Sequence, residues 1–174
     1  MDVEKVAYAI RKLRRINATL KPEQFDIGSW VQRTKCGTTA CAIGWLLYDD
    51  AEAVKYLGVV PTFIDEQKQA ALVPAPGGVC AAWTLSGLLD QYGVVATMFG
   101  IRKEEAEGLF SMDGYLDLGR MPTLADVLDR FTMFFYMNGG TSEMLLDADQ
   151  QVQQLVARAL CDFEVYEEEP VSGR

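Results

Sequence analysis

The chain carries no histidine among its 174 residues, and four cysteines. The side chain that titrates near neutral pH is therefore missing. Ser-His-Asp and Cys-His nucleophilic systems, as usually built, are excluded, and so are zinc sites with imidazole ligands. Cys36 and Cys41 stand five apart, while Cys80 and Cys161 are isolated. A four-thiolate metal site usually shows two close pairs, and here there is one loose pair. If Cys36 lies just before a helix, the helix N-terminus favours its thiolate, which makes Cys36 the candidate reactive thiol. The plainer reading is that these cysteines are small buried hydrophobes. Whether Cys36 and Cys41 form a disulfide depends on a separation that spacing does not supply.

Carboxylates are abundant: Asp49-Asp50, Asp65-Glu66, Glu104-Glu105 with Glu107, and Glu167-Glu168-Glu169. None sits in an apolar run that would raise a pKa for proton transfer. Glu104 and Glu105 suit the first turn of a helix, where the helix dipole favours them. Their other role is a negative surface for a basic partner, and Asp49, Asp50, Glu104, Glu105 and Glu107 are the partner-facing candidates. There is no Walker phosphate loop and no dinucleotide-binding glycine pattern. The expectation is a protein without catalytic residues, metal or cofactor. Two alternatives stay open: a small Cys36-dependent enzyme or redox protein, and a binder of a small molecule such as a nucleotide held by Arg11, Arg14 and Arg15.

The elements that must position these residues are mostly helical. Residues 2–20 form an amphipathic stripe through Val3, Val6, Ile10, Leu13 and Leu20, ended by Pro22. Residues 40–48 are apolar on every side, which predicts a central buried helix with Thr38 or Thr39 as its cap. Trp45 is expected to lie buried there, against the first and last helices. A short helix follows at 50–57, stopped by Gly58. Residues 59–78, which hold Pro61, Pro74, Pro76, Gly77 and Gly78, read as a loop. Helical patterns resume at 79–92, 94–99 and 103–110, with a loop at 111–122. The clearest later helix is 123–137, whose Thr123 and Asp126 make a helix-start pair. A last helix is expected at 142–163. No strand is expected, because Val59-Val60 and Val94-Val95 are too short to carry a sheet. The fold class is all-α: a domain of six to eight helices over residues 1–166, around the helix at 40–48, followed by an acidic tail at 167–174.

Composition adds limits. Apolar residues make up 49% and charged residues 24%, as in an ordinary globular protein. The formal charge of −9 repels phosphate backbones, so direct nucleic-acid binding is not expected. Residues 1–21 hold six Lys/Arg against two Asp/Glu, so a basic first helix meets a strongly acidic remainder. No apolar run approaches the roughly 20 residues that span a bilayer, and no signal peptide is evident. The expected location is a cytoplasm, where thiols stay reduced.

Two segments carry a resemblance. The first is Phe25-Asp26-Ile27-Gly28-Ser29-Trp30 with Cys36-Gly37-Thr38-Thr39-Ala40-Cys41-Ala42-Ile43-Gly44-Trp45, and the second runs from Phe99 to Phe110. Together they resemble an uncharacterised family of small phage and prophage proteins. The resemblance covers about 30 residues and implies a viral origin and a bacterial host cytoplasm, with no functional residue to carry over. The expectation is a phage accessory protein that binds and inhibits a host protein, such as a defence nuclease or a CRISPR complex. Its acidic surface would occupy the partner's basic nucleic-acid-binding groove. A virion or assembly component is a further alternative.

Overall fold

In the computed structural model of the chain, residues 1–34, 37–63, 70–74 and 91–147 are described, together with Gln150 and Gln153. The chain divides into two compact units, Met1–Gly140 and Thr141–Arg174. The class is all-α, as the periodicity predicts. Six α-helices are present among the described residues: α1 Val3–Asn17, α2 Ala42–Leu47, α3 Ala51–Leu57, α4 Gln91–Phe99, α5 Lys103–Phe110 and α6 Leu124–Met137. Within the described residues no helix is long and apolar enough to cross a membrane.

The first unit is built on α1. The Asp2 carboxylate accepts the Lys5 N–H at 3.1 Å and so caps the helix. The Asp2 N–H donates to the Phe99 carbonyl at 2.7 Å, which ties the start of α1 to the end of α4. Val6, Ala9, Ile10 and Leu13 are buried without exposure, facing α2, α4 and α6. The far side of the core is an aromatic cluster: Phe131 of α6 lies 5.3 Å from Phe99 and 5.0 Å from Phe110, centroid to centroid. The predicted cap of α6 is present, since Thr123 and Asp126 each accept from the other's backbone N–H.

Several expectations are corrected. The first helix stops at Asn17, and Pro22 starts a 3-10 turn at Pro22–Gln24 instead of ending a helix. Residues expected to be strandless form two antiparallel ladders. β1 (Gln32–Thr34) pairs with β2 (Gly37–Thr39), and β3 (Val59–Phe63) pairs with β4 (Ala70–Pro74) in the register Val59↔Pro74. Val59, Val60, Phe63, Leu72 and Val73 are good strand formers. Pro61 and Pro74 fit because each strand of a two-stranded ladder keeps an open edge. The loop expected at 111–122 contains a 3-10 stretch, Met112–Leu118, folded around the buried Tyr115, whose hydroxyl donates to the Leu109 carbonyl at 2.7 Å. In the second unit the expected helix does not begin at 142; Glu143–Leu145 is a 3-10 turn. The helix expected at 79–92 falls outside the described residues as far as 90, and so do most of 148–163 and the tail at 167–174.

Candidate functional site

The segment from Phe25 to Trp30 folds back on itself before α2. The Asp26 carboxylate accepts the Gly28 N–H at 3.0 Å and the Ser29 hydroxyl at 2.6 Å, making a tight turn. Three backbone bonds then join this turn to the chain ahead of α2: Asp26 N–H to the Ala40 carbonyl, Ala40 N–H to the Gln24 carbonyl, and Cys41 N–H to the Ser29 carbonyl. Gly44 completes the fit, because a Cβ there would fall onto the Trp30 carbonyl oxygen. Glycine is the residue that lets α2 approach so closely. These residues are therefore scaffold, and their product is the placement of Trp45.

Trp45 is partly buried. Its indole N–H donates to the Gln24 carbonyl at 2.9 Å, and its ring meets Tyr48 edge-on at 5.6 Å. Both rings pack on Val31 and Ala40, at the margin of the buried face of α2. The reason is geometric: α2 has only six residues, and its buried face is taken by Ile43, Leu46 and Leu47. The Thr38 hydroxyl donates to the Tyr48 hydroxyl at 3.2 Å, so Thr38 holds the second aromatic and does not cap α2.

Beside these rings lies an open groove of about 420 Å³ between α1 and the α2–α3 junction, lined by Lys12, Gln24, Trp45, Tyr48, Asp49 and Asp50 among others. Asp50 caps α3 through the Ala53 N–H at 2.7 Å and pairs with Lys12 across the groove. The bond to the Ala53 N–H, followed by Lys12, holds its carboxyl below the usual range. Asp49 differs. It is exposed, it has φ of +50°, and it is the one non-glycine in the left-handed region among the described residues. That conformation costs about 1 kcal/mol or more, and such strain clusters at functional sites. Among the described residues Asp49 makes no ion pair, so its charge faces the groove uncompensated while that of Asp50 is matched by Lys12.

The other candidates lie apart, on α5. Glu105 accepts from the Arg102 N–H and guanidinium, both at 2.8 Å, which completes a cap and holds its carboxyl below the ordinary range. Glu107 pairs with Lys103 at 3.6 Å, one turn away. Glu104 stands exposed. The acidic run of α5 is thus largely matched by its own neighbours. Cys36 lies outside the described residues. Cys41 is a free thiol and fully buried; its sulfur accepts the Gly44 N–H at 3.5 Å, and burial pushes its pKa up to about 12. No group of metal-ligating side chains occurs among the described residues. Of the basic trio, Arg14 lines a second groove, between α1 and α6, that Asp129 lines too. A carboxylate there opposes a phosphate.

The spacing of Trp45, Tyr48, Asp49 and Asp50 is visible in the sequence, but the fourth-side partner Lys12 and the left-handed Asp49 are not. Against known proteins, no family model, no curated protein and no solved structure matches the chain.

Proposed function

We propose that the chain is a phage accessory protein that binds and blocks a host protein, using the groove beside Trp45 to take a basic side chain of that partner. One observation carries this reading: Trp45, Tyr48 and the outward, uncompensated carboxylate of Asp49 line the same groove. An aromatic face beside a carboxylate suits a guanidinium, which stacks on the ring and gives two N–H groups to the oxygens. Lys12 does not oppose this, because its charge is matched by Asp50. The net charge of −9 adds long-range attraction for a basic surface and speeds encounter. A host protein whose nucleic-acid-binding groove is lined with arginine, such as a defence nuclease or a CRISPR complex, has the matching chemistry.

The test is affinity capture from bacterial lysate with mass spectrometry, run in parallel on the parent chain and on Asp49→Lys. The reading expects a nucleic-acid-binding protein held by the parent, lost from the variant, and released by added DNA or RNA. Capture that is indifferent to both the substitution and the nucleic acid contradicts it.

A further inference from the structure

The second groove, between α1 and α6, has a different character. Its volume is about 450 Å³; Arg14 stands on the α1 wall and Asp129 on the α6 wall, with Leu128, Met133 and Tyr136 between them. Met133 is 61% exposed and Met137, one turn further along α6, is 79% exposed. Flexible, polarisable methionines presented on a helix face are adaptable contact residues. Arg14 and Asp129 are both exposed. Neither makes an ion pair among the described residues, although they border the same groove.

The charge arrangement identifies the occupant. This groove carries one charge of each sign on either side of an apolar centre. Such a patch contains its own complement, which is the requirement for an isologous two-fold contact. In a two-fold pairing about an axis near Met133, Arg14 of each copy would meet Asp129 of the other. We infer that this face takes a second copy of the chain, Met133 and Met137 of each protomer entering the groove of the other and Arg14 of each meeting Asp129 of the other. The inference is independent of the groove at Trp45 and needs no host partner.

Sedimentation velocity of the full chain across a concentration series tests it. The parent should dimerise reversibly. Arg14→Asp and Asp129→Arg should each weaken the dimer by about tenfold or more, because each change turns two symmetry-related attractions into repulsions. The double variant R14D/D129R should recover the parent's affinity. Both side chains are exposed, so the melting temperature measured at dilution should not change; Met137→Glu, also exposed, should abolish the dimer with the same thermal profile. A parent that stays monomeric at every concentration overturns the inference. So does a dimer indifferent to the single variants, or a double variant that does not recover.

Discussion

Cys41 shows how far a side chain's surroundings outweigh its type. Its spacing from Cys36 is compatible with redox or metal chemistry, yet the thiol lies fully buried ahead of α2 with its pKa pushed up to about 12. The thiolate is the reactive form, so Cys41 should label slowly at pH 7. Peptide mapping after a short alkylation pulse checks this; modification of native Cys41 within seconds would contradict it. Asp126 is held in the opposite sense. The Arg120 guanidinium beside it, with bonds from the Thr123 N–H and hydroxyl, keeps its carboxyl well below the ordinary 3.8. A carboxyl whose pKa is depressed on folding stabilises the fold above its unfolded value, and the contribution fades as pH falls through its folded value. Asp126→Asn should therefore cost about 1 kcal/mol at pH 7, the usual worth of a capping interaction. The gap from the parent should narrow steadily below pH 3.8. Thermal melts of both proteins from pH 7 to pH 2 measure it, and a gap that stays constant would remove the linkage.

At the scale of elements, α5 separates carboxylates that look alike in sequence. Glu105 closes a cap on the Arg102 N–H, whereas Glu104 points outward. Glu105→Lys should lower stability by about 1 kcal/mol, while Glu104→Lys should leave it within about 0.5 kcal/mol. Denaturant unfolding of the two variants distinguishes them, and equal losses would mean that the cap contributes nothing. Helices with an apolar stripe or an end signal were legible in the sequence: α1 by Val6, Ile10 and Leu13, α3 by its stop at Gly58, α6 by Thr123 and Asp126. The ladders were not. Pro61 and Pro74 signal a break locally, and only the pairing of Val59–Phe63 with a segment eleven residues downstream gives them edge positions. Thr38 and Thr39 look like helix caps for the same reason: their role in β2 depends on Gln32–Thr34. The packing of Trp45 was legible from its apolar neighbours, and its place at the margin was not, because six residues of helix bury only one face.

At the scale of the molecule, acidity was legible as a total and not as a surface. Of the five carboxylates singled out by sequence, Asp50, Glu105 and Glu107 are matched by Lys12, Arg102 and Lys103. Glu104 and Asp49 remain outward, and of these two Asp49 stands beside aromatic rings in a groove. The two candidate surfaces also differ in kind: the groove at Trp45 carries a net negative charge for a basic partner, and the α1–α6 groove carries one charge of each sign. The central claim is recognition of a basic side chain at Asp49, and binding kinetics against the captured host protein test it most directly. The parent and Asp49→Lys are compared at low and at physiological salt. The claim predicts parent association that slows as salt rises. It also predicts a variant that associates at least about tenfold more slowly and dissociates faster, because it loses both the steering charge and the contact. Equal rate constants for the two proteins at both salt concentrations would contradict it.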